Sequence, residues 1–177
     1  ANYKGHYETT GKEIWEQTDG KVDGFICASG TGGTIAGVSN ALKEKNKNIK
    51  VYLSDPKGSC LYNYIKTKEF KSEGNSITEG IGSSRATKNF EKALIDDAYS
   101  IDDTTALTVL FDLIEQEGLS LGTSSGINVA GAIKLAQELG PNKTIVTILC
   151  DKSDRYQGKL FNKKFLMDKN LPYPRWL

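Results

Sequence analysis

Seven consecutive small residues, Ala28-Ser29-Gly30-Thr31-Gly32-Gly33-Thr34, separate a short apolar run from an amphipathic one. A loop this lean between a strand and a helix lets backbones approach closely and points to a βα unit. The preceding run, Val22-Asp23-Gly24-Phe25-Ile26-Cys27-Ala28, reads as a mostly buried strand. Ile35, Val38, Ala41 and Leu42 follow at the spacing of a helix that starts near Gly33. Amides at a helix N-terminus lack intrahelical acceptors and lie at the positive end of the dipole, so the junction suits an anion such as phosphate. The loop contains no Lys or Arg, which leaves amides and hydroxyls to hold whatever binds. The alternative is a tightly packed strand-to-helix turn that binds nothing.

The rest of the chain repeats the alternation. A first helix is expected over 10–18, a second strand over 49–55 stopped by Pro56, and a short helix over 61–68. A polar stretch over 71–78 leads to Gly80-Ile81-Gly82; a helical segment over 90–95 and a strand over 98–101 follow. Asp102-Asp103-Thr104 offers caps for a helix over 105–117, which Gly118 ends. A further helix over 125–139 stops at Gly140-Pro141, and a β-branched strand lies within 143–150. The tail holds a helix through Phe165-Leu166 and then an extended end. Apolar strands alternating with helices imply an α/β fold, an open, mostly parallel sheet with helices on both faces.

Composition narrows the function classes. With 38% hydrophobic and 25% charged residues over 177 positions, the chain can build one core. Its net charge of +1 arises from interspersed signs, so neither a nucleic-acid surface nor a polybasic membrane arm is indicated. Lys43-Glu44-Lys45-Asn46-Lys47-Asn48 reads as a solvated helix end, where lysines suit the negative pole. No apolar stretch is long enough to cross a membrane. Cys27, Cys60 and Cys150 have no metal-ligand spacing; they read as buried or half-buried reduced thiols, and no metal is expected.

Among phosphate ligands, a nucleoside triphosphate loses its cation, because the Gly32 to Gly37 spacing is followed by Val38 and not by lysine. A dinucleotide fingerprint needs a third glycine where Ile35 stands, although Asp55 at the end of the next strand occupies roughly the place of a ribose-binding acid. Gly30-Thr31-Gly32-Gly33-Thr34, by contrast, resembles the GTGGT phosphate loop of cysteine synthases and cystathionine β-synthases, the fold-type II pyridoxal-phosphate enzymes.

Further segments match that family in order. His6 to Trp15 resembles H-x-x-T-x-G-P-E-I-W, with Lys12 in place of the usual proline. Asp55-Pro56-Lys57-Gly58-Ser59 resembles D-P-x-G-S, and Glu79-Gly80-Ile81-Gly82 resembles E-G-I-G. Gly118 to Gly126 is similar to E-G-(I/L)-x-x-G-x-S-S-G. Asp151-Lys152-Ser153-Asp154-Arg155-Tyr156 resembles the S-G-E-R-Y loop, with Asp154 at the middle acid and Lys152-Ser153 altering its lead-in.

The resemblance implies a tryptophan synthase β-like fold and pyridoxal 5'-phosphate as cofactor, its phosphate on Gly30, Thr31, Gly32, Gly33 and Thr34. Ser124 would face the ring nitrogen, and Gly80, Ile81 and Gly82 would close near the substrate; for Ser124 the competing reading is an ordinary helix N-cap, and for the Gly-Ile-Gly segment a plain tight turn. The family's Schiff-base lysine lies in an upstream S-x-K-x-R segment, with a T-S-G-N-T-G loop for the substrate carboxylate between it and the phosphate loop. Neither motif occurs here, so residues 1–177 are expected to be the C-terminal portion of such an enzyme, an incomplete cofactor-binding domain without turnover of its own and without a catalytic residue. The whole protein would be a transferase making cysteine from O-acetylserine and sulfide, a homodimer, cytoplasmic or mitochondrial, with small-molecule partners and no nucleic acid. Cystathionine β-synthase activity and a non-catalytic binding module remain alternatives. His6, Arg85 and Arg155-Tyr156 are read as structural, and Tyr62, Tyr64 and Phe70 as packing residues.

Overall fold

The computed structural model describes residues 2–177. Four parallel strands, β1 (Gly24–Cys27), β2 (Lys50–Pro56), β3 (Asp97–Ile101) and β4 (Ile145–Thr147), form one sheet in the order β3-β2-β1-β4. The helices are α1 (Asn2–Glu8), α2 (Thr10–Gln17), α3 (Gly33–Lys45), α4 (Leu61–Thr67), α5 (Asp103–Glu117), α6 (Thr123–Leu139), α7 (Gln157–Leu160) and α8 (Lys163–Asp168). The sequence grows outward from β1 first through α3 to β2 on one side, and later through α6 to β4 on the other. That reversal leaves a crevice beyond the carboxyl end of β1, the place where open α/β sheets bind ligands.

Strand alternation sends side chains to two cores. Phe25 and Cys27 of β1 join Val51 and Leu53 of β2 against Ile35, Val38 and Leu42 of α3. Ile26 and Tyr52, one position out of phase, face Leu135 of α6 instead. Close approach depends on small residues. A Cβ on Gly131 would lie 2.8 Å from Ser54 Cβ and 3.0 Å from Ile26 Cδ1, so α6 rides directly on the sheet. On the other face, a Cβ on Gly37 would meet His6 Cβ and Tyr3 O at 2.6 Å, where α1 crosses α3. A smaller core joins Leu107, Leu110 and Phe111 of α5 to Tyr156, Leu160 and Leu166.

Several sequence expectations change. The helix expected over 10–18 is present as α2, but an unforeseen helix, α1, precedes it, and Thr9 between them donates its amide to Gly5 O. The segment at 90–95 is only a single 3₁₀ turn, Phe90–Lys92. Pro56 does not stop β2 short but is its last residue, opposite Ile101. Only Ile145–Thr147 of the β-branched run pairs with β1, and α7 is a short helix that the pattern did not announce. Lys43 is not a solvated residue: its ammonium bonds both oxygens of Asp96, at 2.8 and 2.9 Å. The cysteines are free as expected, but Cys150 is exposed, while Cys27 and Cys60 are buried.

Candidate functional site

β1 ends at Cys27, and the chain turns through residues 28–32 into α3. Gly32, at φ +81°, caps α3 in the left-handed region, and a Cβ there would sit 2.6 Å from the amide nitrogen of Phe90. The amides of Gly30, Thr31, Gly32, Gly33 and Thr34 donate to no protein acceptor among the described residues. A thirteen-residue helix points its positive end at them. Such an arrangement can accept an anion without a cationic side chain.

The hydroxyls of the cradle are held from behind. Asn2 Nδ2 donates to Thr31 Oγ1 at 3.1 Å, and His6 Nε2 lies 3.2 Å from Thr34 Oγ1 while its Nδ1 lies 3.0 Å from Thr10 Oγ1. Thr87 Oγ1 donates to Thr31 O at 2.7 Å and fixes the loop backbone. His6 is therefore a hydrogen-bonding residue of the cradle wall. Asn2, one helical turn earlier on α1, went unnoticed in the sequence, because an asparagine outside a motif carries no signal of its own.

The second part of the site lies at the N-terminus of α6. Gly122 is the N-cap, and Thr123, Ser124 and Ser125 all sit within the first turn, so neither serine is the cap. Ser125 Oγ accepts the amide of Cys150 at 3.0 Å. Ser124 lines an open cavity of about 550 Å³ with Glu79, Gly80, Ile81, Cys150, Asp151, Arg155 and Tyr156. This volume lies in the range of small-molecule sites. The buried hydroxyls of Ser29 and Thr123, at the start of the cradle and of α6, have no hydrogen-bond partner. Unpartnered buried hydroxyls are uncommon and mark places where a ligand or water completes the bonding.

Gly80, Ile81 and Gly82 join the two parts. A Cβ on Gly30 would come 3.9 Å from Ile81 Cα, and Gly82 donates its amide to Ser29 O at 2.8 Å. Gly80 and Ile81 thus lie between cradle and cavity. Gly82 lines a second cavity, of about 360 Å³, with Ser59, Ser76 and Ser83, and Ile81 borders both cavities. The stretch leading into Gly80 is anchored: Asp103 accepts Ser76 Oγ and the Ile77 amide, and Lys159 donates to Ile77 O at 3.0 Å and pairs with Glu79.

Tyr156 donates to Asp151 Oδ2 at 2.7 Å and is buried, its hydroxyl pushed up to about 12 mainly by desolvation. Arg155 is largely exposed and 3.7 Å from Asp151, whereas Arg85 is exposed and forms no ion pair among the described residues. Phe70 stacks on Tyr64 at a centroid distance of 4.5 Å but is itself exposed. Asp55 is fully buried and accepts the amide of Tyr62, which removes it as a ribose-binding acid. No group of His, Cys, Asp and Glu among the described residues could hold a metal, and no helix there is long and apolar enough to cross a membrane.

Residues 1–151 match the family model described as pyridoxal-phosphate dependent enzyme. The chain belongs to this family. It is 45% identical over 180 residues to cysteine synthase of Dictyostelium discoideum, covering 96% of this chain and 48% of that protein. Cysteine synthase 1 of Neurospora crassa is 46% identical over 176 residues, with 97% of this chain and 47% of that protein covered. Among solved structures, the O-acetylserine dependent cystathionine β-synthase of Helicobacter pylori superposes with a TM-score of 0.81 at 32% identity, covering 89% of this chain and 49% of that one. The chain spans about half the length of the curated relatives it matches. The α/β architecture with an open parallel sheet is that of the fold-type II enzymes.

Proposed function

We propose that this chain is the C-terminal, phosphate-anchoring portion of a cysteine synthase-like transferase that binds pyridoxal 5'-phosphate. The observation that carries the reading is the cradle: five small residues with unengaged amides at the N-terminus of α3, in a loop that matches the family's phosphate motif. An anionic phosphate gains charge-assisted hydrogen bonds there that neutral groups do not. Ser29 and Thr123 begin the two segments that would hold the cofactor, and their buried hydroxyls are unpartnered. The cofactor supplies an electron sink for breaking bonds at the substrate's α- and β-carbons.

In this reading the remaining tasks fall to named residues. Gly30 to Thr34 would hold the phosphate, and Ser124, on the cavity wall, would offer its hydroxyl to the ring nitrogen. A hydroxyl is a neutral partner; unlike a carboxylate it keeps no proton on that nitrogen, which suits elimination and replacement better than transamination. Gly80 and Ile81 approach the substrate side and shield it from water, with Gly82 setting the backbone path between them and Ser29. The resemblance places the lysine that would hold the cofactor covalently in an S-x-K-x-R segment, and residues 1–177 contain no such segment.

The likeness to cysteine synthases supports a cysteine-forming reaction, for which the resemblance implies O-acetylserine and sulfide as substrates. A cystathionine-forming reaction is the second reading, supported by the structural likeness to an O-acetylserine dependent cystathionine β-synthase. Full-length protein is expected to show the visible absorbance of a lysine-bound cofactor and to form cysteine from O-acetylserine and sulfide. Colourless protein that contains the upstream lysine would sink the proposal, and preferential use of homocysteine would select the second reading.

A further inference from the structure

The side chain of Asn128 stands where β1 and β4 part. The ladder between these strands ends at Ile26 opposite Thr147. Beyond that rung, Asn128 Oδ1 accepts the amide of Ala28 at 2.7 Å, and Asn128 Nδ2 donates to Ile148 O at 2.7 Å. One buried carboxamide thus takes up a donor from the first strand and an acceptor from the second. It replaces the rungs the sheet no longer makes and fixes the width of the gap.

Each strand leads from that gap directly into one part of the site. Ala28 precedes Ser29 and the cradle, while Ile148 precedes Cys150 and Asp151 on the cavity wall. Asn128 also lies four residues after Ser124 on α6, so both project from the same helical face. The wedge therefore ties three things to one side chain: the start of the phosphate loop, the cavity wall carrying Cys150, and the helix turn that presents Ser124. An amide suits this position because it both accepts and donates; a carboxylate would turn its second oxygen toward the carbonyl of Ile148.

We infer that Asn128 is a positioning residue for the cofactor: it sets the distance between phosphate cradle and ring pocket without touching the ligand itself. The inference rests on the proposed pyridoxal-phosphate site. It makes Asn128 matter to binding geometry beyond its contribution to stability.

The test measures cofactor affinity and the ³¹P resonance of the bound phosphate in full-length protein, together with alkylation of Cys150, the exposed one of the three thiols. Asn128→Ala is expected to weaken pyridoxal-phosphate binding roughly tenfold, as loss of about one well-made hydrogen bond would. It should also shift the ³¹P signal and change the rate of Cys150 alkylation. Ser39→Ala is the control: it removes a comparably buried hydroxyl, bonded to Ala36 O and the Leu94 amide, and should leave all three readouts unchanged. Should Asn128→Ala not fold, Asn128→Asp carries the test. It keeps the acceptor for Ala28, binds weakly when ionised, and recovers on mild acidification as the neutral acid regains a donor toward Ile148 O. Wild-type binding matched by Asn128→Ala, or by Asn128→Asp at neutral pH, with an unmoved ³¹P signal, overturns the role of Asn128 alone. Wild-type protein that binds no cofactor overturns the proposed function as well.

Discussion

The amide of Tyr62 donates to Asp55 Oδ2 at 2.8 Å, while Asp55 Oδ1 is buried without a partner. Burial raises this carboxyl from 3.8 to about 6, against the opposing hydrogen bonds from Tyr62, Ser59 and Leu61. Because the folded value lies above the unfolded one, the folded state holds the proton more tightly. The contribution to stability is present in full below about 3.8 and is lost as pH rises through about 6. Asp55→Asn keeps the acceptor for Tyr62 and removes the titration. In urea unfolding across this window, wild type is expected to lose up to about 3 kcal/mol relative to the variant; parallel profiles would refute the assignment.

Thr34→Val keeps the shape of the cradle but removes the hydroxyl facing His6. A hydrogen bond to a charged group contributes about 2 kcal/mol, so cofactor retention should fall by more than tenfold. Dialysis of full-length protein followed by fluorescence of the remaining cofactor checks this. A bulkier Thr34→Phe should abolish retention.

Gly37→Leu places a side chain where His6 Cβ already approaches to 2.6 Å of a Cβ position. Overpacking of this kind costs about 1–3 kcal/mol. The sheet lies on the other side of α3, so the expected outcome is displacement of α1 with the strands retained: amide exchange accelerates in residues 2–8 and stays slow in β1 and β2.

Asp102 caps α5, its Oδ1 accepting the Thr105 amide at 2.8 Å. Those hydrogen bonds hold its carboxyl below the usual range. Stability from the cap is present above the ordinary carboxylate range and is lost as pH falls through the lowered value. Asp102→Ala should cost about 1 kcal/mol at neutral pH, measured by chemical denaturation.

The parts of this molecule that could be read from sequence are those in which one local pattern decides the outcome. The apolar spacing from Ile35 to Leu42 located α3, and Gly118, at φ +66°, ended α5 where a left-handed cap was expected. Asp102 capped α5 as its side chain suggested. Boundaries failed where neighbours decide: Pro56 survives in β2 because pairing with β3 continues beside it, and β4 is short because β1 has already turned into the cradle. The motif residues of the cradle are adjacent in sequence, so their meeting was legible. Asn2, Thr87 and Asn128 reach the site from distant segments as isolated polar residues, and no periodicity marks them.

Helix α1 buries none of its residues, yet Asn2 and His6 on it grip the two cradle threonines. A seven-residue helix without a core of its own has little independent stability, and its order depends on docking against α3. Thermodynamic reciprocity then applies: an anion that prefers the gripped cradle stabilises the docked helix, and the docked helix tightens the anion. Docking of α1 on α3 and affinity at the phosphate loop are two readings of a single equilibrium.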